Sequence, residues 1–202
     1  MKLKVDQVTF NLLLDESRLK NPITPIIFLH GFTGSSEDWS FIFDKLPANY
    51  LPVAVDLIGH GKTESPNDII HYSAVSQIEQ LKKIIKILGF SQVILCGYSM
   101  GGRLALSFAV KYQELIDRLI LESSTPGLKD ESERMKRIES DNQIADLIET
   151  EGINNFISYW MNIHLFETLK KLPEKKFMKL VESKLTNSST GLANSLRGFS
   201  TG

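Results

Sequence analysis

The chain has 202 residues, 42% hydrophobic and 23% charged, with 23 Lys and Arg against 24 Asp and Glu for a formal net charge of -1. That composition belongs to one globular domain with a sizeable core, and the interspersed charge gives no footprint for nucleic acid or an anionic membrane, so a small-molecule partner is the default. No run approaches the roughly 18 apolar residues of a membrane span, the opening MKLKVDQVTFNLLLDES lacks the uncharged core of a signal peptide, and the single Cys96 has no internal disulfide partner, which together favour a cytoplasmic setting.

In chain order, the residues before Asn21 set Val8, Phe10 and Leu12 on one face and predict an antiparallel hairpin. Four apolar runs follow: PIIFLHG (25–31), LPVAVDL (51–57), QVILCGYS (92–99) and LIDRLILESS (115–124). They are rich in Val, Ile and Leu with little alternation, as strands buried on both faces of a parallel sheet are. Ala74, Ile78, Leu81, Ile85 and Leu88 recur at helical spacing between the second and third runs, and Gly89 supplies the stop. Strands alternating with helices predict an α/β fold, a mostly parallel sheet with helices on both faces. After Pro126 the chain is charged and helical with no convincing strand. It reads as a core over 1–126 and a helical cap or lid over 127–202.

Gly97-Tyr98-Ser99-Met100-Gly101 matches the G-x-S-x-G nucleophile elbow, between an apolar strand and a helix as that motif requires. A strand turning directly into a helix strains the serine backbone, and side chains two residues before and after it would collide, which selects glycine at both places. The turn lifts the Ser99 hydroxyl clear of the sheet and aims the Met100 N–H at an oxyanion beside it. His30-Gly31-Phe32 closes the first parallel run, and the loop there is expected to supply a second oxyanion donor, the Phe32 N–H, with His30 itself structural. In DLIGHGKTES, Asp56 ends a strand and Gly59-His60-Gly61 makes a tight turn, with His60 a loop stabiliser.

From FLHGFTGSSEDW through VDLIGHGKTES to GYSMGG, the sequence resembles the α/β-hydrolase fold family, departing at Ile58, where that family usually has proline. Arg103 lies one helical turn after Ser99, on the same helix face, where a guanidinium matches a carboxylate bidentately. A salt bridge within the fold is equally compatible with that spacing. Arg134 and Arg137 share one face of a cap helix, with Trp160 further on.

LHGFTGSSEDW, GYSMGGRLAL, SSTPGLKDESERMKRIESDNQIA, FISYW and GLANSLRGFSTG together resemble one branch of that fold, the 2-succinyl-6-hydroxy-2,4-cyclohexadiene-1-carboxylate synthases (MenH) of menaquinone biosynthesis. The resemblance implies a lyase that eliminates pyruvate from a polycarboxylated cyclohexene, with serine and histidine serving as a base for proton abstraction. Carried over, it implies Ser99 as that base, Arg103 and Arg137 (with Arg134 nearby) as carboxylate holders, Tyr98 and Trp160 as pocket walls, and the backbones of Phe32 and Met100 as the oxyanion site. Lys184 stands about where the family tends to have a further arginine, keeping the charge without the planar fork.

In this fold the triad runs Ser, then Asp or Glu, then His. After Ser99 the one histidine is His164, in MNIHLFETL within the cap, where no family motif places a triad base. Family members continue past the position of Gly202 with the acid, the histidine loop and a closing helix, so the resemblance implies a truncated member whose sheet lacks its last strands. A bare sheet edge, association or low stability, and weak catalysis are the expected consequences. Two other readings stay open: a general carboxylester or C–C bond hydrolase, and a non-catalytic hydrolase-fold remnant that binds a ligand. Four histidines and one cysteine without ligand spacing suggest no metal, and no phosphate loop or dinucleotide fingerprint suggests a cofactor. No oligomeric state follows from the sequence.

Overall fold

A computed structural model describes residues 1–20 and 24–202. Among them, six strands form one mixed sheet: β1 (Lys2–Val5), β2 (Val8–Leu14), β3 (Thr24–Leu29), β4 (Tyr50–Val55), β5 (Val93–Tyr98) and β6 (Ile116–Glu122), in spatial order β1-β2-β4-β3-β5-β6. The hairpin β1–β2 pairs antiparallel and joins β4 antiparallel, while β4, β3, β5 and β6 run parallel to one another. Two predicted runs ending in functional motifs, β3 and β5, lie side by side with Leu29 opposite Gly97. That register brings the loops after both strands to one point at the carboxyl end of the sheet, where open α/β sheets place their ligands.

The helices are α1 (Ser40–Phe43), α2 (Ala74–Ile87), α3 (Met100–Lys111), α4 (Glu131–Trp160), α5 (Glu174–Leu185) and α6 (Ser189–Gly198). Ser73 caps α2 by accepting from the Ser76 N–H, and the helix buries Ile78, Leu81, Ile84 and Ile85. With Leu104, Ala105 and Phe108 of α3, these cover the sheet face made by Ile27, Leu29, Val53, Val55 and Leu95. The opposite face, Ile26, Phe28, Ala54, Ile94 and Cys96, packs on Trp39 and the α1 segment. Adjacent strand residues thus enter two different clusters, which is why the runs lack polar alternation.

β6 departs from the double burial expected for all four runs. Among the described residues it is bonded to β5 alone, and Ile120 and Leu121 remain 48% and 42% exposed. An unpaired edge beside exposed aliphatic side chains is a template for association. The 202-residue chain is therefore expected to self-associate with rising concentration in sedimentation velocity, and Ile120→Lys to reduce that association. A wild-type chain that stays monomeric at high concentration would contradict this expectation.

The cap is built on α4, which is interrupted at Gly152 (φ 76, ψ 169), a conformation open essentially to glycine alone. Ala145, Ile148, Phe156, Ile157 and Met161 of the α4 region join Leu192, Ala193 and Leu196 of α6 in a second apolar cluster, against which Phe32 also packs. Phe199, just past α6, is buried in the main core, so the cap region is fastened back onto the sheet layer. No strand occurs after β6 among the described residues, and none of their helices is long and apolar enough to cross a membrane.

Candidate active site

Ser99 sits between β5 and α3 with φ 52 and ψ -114, a backbone conformation strained for any residue with a side chain. The glycines around it are dictated by space. A Cβ on Gly97 would lie 2.4 Å from the Gly101 carbonyl oxygen, and one on Gly101 would lie 2.4 Å from that of Leu29. The strain is held from both ends: the Ser99 N–H donates to the Glu122 carbonyl (3.0 Å), and the Ser124 hydroxyl donates to the Ser99 carbonyl (2.8 Å). Met100 opens α3, so its N–H belongs to the turn that has no partner within the helix.

A cavity of about 400 Å³ opens over Ser99, and His30, Phe32, Tyr98, Trp160 and Lys184 are among its walls. The close approach of Gly31 to the Tyr98 ring and to Ser99 Cβ sets the Phe32 loop beside the elbow. Phe32 and Trp160 meet edge to face at 5.5 Å, and Trp160 also contacts Phe166, so cap and core share one aromatic wall. Sequence reasoning missed Asp38, Trp39, Phe166 and Leu169 in this wall. Asp38 and Trp39 close the FLHGFTGSSEDW motif without being marked there as site residues, Phe166 and Leu169 stand in the later helical region, and the fold brings all four to the cavity over Ser99.

Lys184 is the least ordinary wall residue. It is 8% exposed, and its ammonium donates to the Thr33 hydroxyl at 3.1 Å while forming no salt bridge among the described residues. Burial holds its pKa below the usual lysine value, with the Asp38 carboxylate pulling weakly the other way. A buried ammonium with donors to spare in a cavity wall can meet an anion there.

The arginines are placed differently. Arg103 is not among the cavity walls; its Nη1 donates to the Ser200 carbonyl (2.8 Å) and its Nη2 to that of Phe199 (3.1 Å), with the guanidinium over the Phe199 ring. Burial, reinforced by Arg137, brings its pKa down to about 10. Arg137 pairs with Asp141 at 2.8 Å, and Arg134 donates to the Leu128 and Lys129 carbonyls at the start of α4. The structure thus gathers Ser99, Phe32, Tyr98, Trp160 and Lys184 around the cavity, and the three arginines are not among its walls.

None of the histidines is hydrogen-bonded to Ser99 Oγ among the described residues. His30 lines the cavity, but its Nδ1 donates to the Gly31 carbonyl and its Nε2 accepts from the Leu57 N–H, which commits both nitrogens to the loops. His60 donates through Nδ1 to the Ile58 carbonyl. His164 has its side chain 93% exposed beside Glu167, away from the cavity. Asp56 joins three segments by accepting from the Ser36 and Lys62 N–H groups and from the Asn11 amide. Burial pushes its pKa upward, and these donors outweigh that, leaving it below the ordinary value.

Burial holds His30 below the ordinary imidazole value and, with His30 beside it, pushes His60 down to about 3. Both are neutral in the fold, so the unfolded chain takes up their protons first as pH falls. Their stability contribution is complete above about 6.5, the unfolded value, and drains away as pH falls toward the folded ones. At pH 5 the loss from His60 alone is on the order of 2 kcal/mol. His60→Asn, which does not titrate there, is expected to flatten the decline of the unfolding midpoint between pH 7 and 4.5. An unchanged slope would show that His60 is not a source of it.

The family described as alpha/beta hydrolase fold matches residues 24–193. The chain is 43% identical to a Bacillus subtilis protein provisionally named 2-succinyl-6-hydroxy-2,4-cyclohexadiene-1-carboxylate synthase, over 90% of this chain and 66% of that protein. It is 35% identical to the synthase of that name from an Enterobacter species, over 79% of this chain and 61% of that protein. It therefore spans less than two thirds of either relative. Among solved structures, MenH from S. aureus matches with a TM-score of 0.85 and 29% identity, over 94% of this chain and 71% of that one. An enol-lactonase from Burkholderia xenovorans matches at 0.80 with 16% identity, over 98% and 73%, a likeness of fold alone. Matched by that family over residues 24–193, with a strained serine between β5 and α3 and this strand order, the chain belongs to the α/β-hydrolase fold family.

Proposed function

We propose that the chain carries the serine side of a carbon–oxygen lyase of the 2-succinyl-6-hydroxy-2,4-cyclohexadiene-1-carboxylate synthase type, acting in menaquinone biosynthesis. Its substrate is 2-succinyl-5-enolpyruvyl-6-hydroxy-3-cyclohexene-1-carboxylate. The deprotonated Ser99 Oγ takes a ring proton, the electrons of that C–H bond form the new ring double bond, and the C–O bond to the enolpyruvyl group breaks with its electron pair leaving on the enolate. The enolate takes the proton from Ser99 Oγ at its methylene carbon and departs as pyruvate, which returns the serine to its starting state. Oxygen charge that develops on the way is met by the N–H groups of Phe32 and Met100.

The observation that carries this reading is Lys184, a buried ammonium with one hydroxyl partner in the wall of the Ser99 cavity. A simple ester gives it nothing to neutralise, whereas a polycarboxylate does. Tyr98 and Trp160 enclose the ring, and Arg103, Arg134 and Arg137 add positive potential behind it. No metal or cofactor enters this scheme.

A hydroxyl is a weak base without a partner to take its proton. The 202-residue chain alone is accordingly expected to release pyruvate slowly, and faster when the part of the Bacillus subtilis relative that lies outside the match is joined to it. The test is continuous pyruvate detection with the cyclohexene substrate, on both chains and with Ser99→Ala in each. Ser99-dependent release supports the lyase. Ester hydrolysis without pyruvate release would favour a general hydrolase, and carboxylate binding without either reaction a non-catalytic binding role.

A further inference from the structure

We propose that Asp141 is a positioning residue that aims both Arg103 and Arg137, a role that rests on the carboxylate-binding reading above. Asp141 lies on α4 with 2% of its surface exposed, and a buried carboxylate requires partners for its charge. Its Oδ1 accepts from Arg137 Nε at 2.8 Å and its Oδ2 from the Ser200 hydroxyl at 2.6 Å. Ser200 turns its own carbonyl to Arg103 Nη1, and the neighbouring Phe199 carbonyl takes Nη2. One carboxylate thus fixes two guanidiniums on different helices, Arg137 directly and Arg103 through a two-residue strap.

The donor inventory supports a role beyond structure. A guanidinium has five N–H groups. Asp141 engages Arg137 through Nε, leaving the Nη groups without protein partners among the described residues, on a side chain 47% exposed. Arg103 likewise keeps N–H groups that neither strap carbonyl uses. An ordinary ion pair four residues apart on a helix has both partners in water and is worth a few tenths of a kcal/mol. Here the acid is buried and its second oxygen reaches another segment, so the pair is part of a frame. Arg137 lowers the Arg103 pKa and Asp141 raises it, so the aspartate offsets the repulsion between the two guanidiniums.

The experiment titrates the full chain with cyclohex-4-ene-1,2-dicarboxylate, a cyclic dianion, by isothermal calorimetry, with circular dichroism confirming the fold of each variant. Asp141→Asn is expected to weaken binding about tenfold, the scale of one charge-assisted hydrogen bond. Asp141→Glu should recover part of that loss, and in an Arg137→Ala background Asp141→Asn should have a smaller further effect, the part that passes through Ser200 to Arg103. Ser200→Ala, which cuts the strap and leaves the buried charge in place, should weaken binding a few fold; it carries the test if Asp141→Asn does not fold. Wild-type affinity in Asp141→Asn, or an undiminished loss in the Arg137→Ala background, overturns the positioning role while the carboxylate site stands. A folded wild-type chain that does not bind the probe overturns both.

Discussion

Lys184→Met is expected to lose about a hundredfold in affinity for the cyclic dicarboxylate and, at the same time, to unfold at a higher temperature than the wild type. The opposite signs have one cause. The ammonium is buried with the Thr33 hydroxyl as its hydrogen-bond partner, and the Asp38 carboxylate offsets its desolvation only in part. Burial lowers the lysine pKa, which means the unfolded chain holds the proton more tightly and folding at neutral pH is penalised. Methionine is close in length, flexible and uncharged, and it removes that penalty, on the order of 1–3 kcal/mol. A ligand carboxylate reverses the balance by supplying the missing charge. Calorimetric titration and a melting curve on the same two samples test both halves. A variant that binds as well as wild type would remove Lys184 from the site, and one that melts lower would show that the ammonium is better satisfied than its single partner implies.

The second large effect concerns the elbow. Ser99→Gly and Ser99→Ala should both bring pyruvate release to background in the lengthened chain, yet they should differ in stability. At φ 52 and ψ -114 the serine backbone is strained, and alanine inherits that strain while glycine does not. Ser99→Gly is therefore expected to be more stable than Ser99→Ala by about 1 kcal/mol or more. At about 2–4 °C of melting temperature per kcal/mol for a chain of this size, the difference is measurable. Equal melting temperatures would mean that the surrounding bonds, from the Ser99 N–H to Glu122 and from Ser124 to the Ser99 carbonyl, impose no net strain.

The parts of the fold that could be read in the sequence are those with a local cause. The runs around Ile27, Val53 and Leu95 are continuous because both faces of their strands are covered, and the α2 pattern ends at Gly89 because the chain there needs φ 77. The elbow was legible because steric exclusion leaves a two-glycine signature. β6 looks like its neighbours in composition and was expected to be buried; whether a strand is central or at the edge depends on what pairs with it, which no run of seven residues records. Lys184 is marked in the sequence by the resemblance alone, and nothing local to α5 records its bond to Thr33, far away in the chain. Spacing placed Arg103 on the side of α3 nearest Ser99 without revealing that the Phe199 and Ser200 carbonyls would hold its guanidinium. Asp141 had no signal beyond an ordinary helical pair with Arg137. In each case a contact between distant segments decided the role.

The break at Gly152 separates two stretches of α4 with different surroundings. Arg134, Arg137 and Asp141 precede it, whereas Trp160, Phe166 and Leu169 follow it and line the cavity. Substitutions after the break can reshape the chamber to admit a different ring or side arm while the charged frame before it stays intact. Substitutions before it can retune charge without altering the chamber. A scaffold partitioned in this way lets descendants explore new substrates one property at a time, with glycine 152 as the seam between the two.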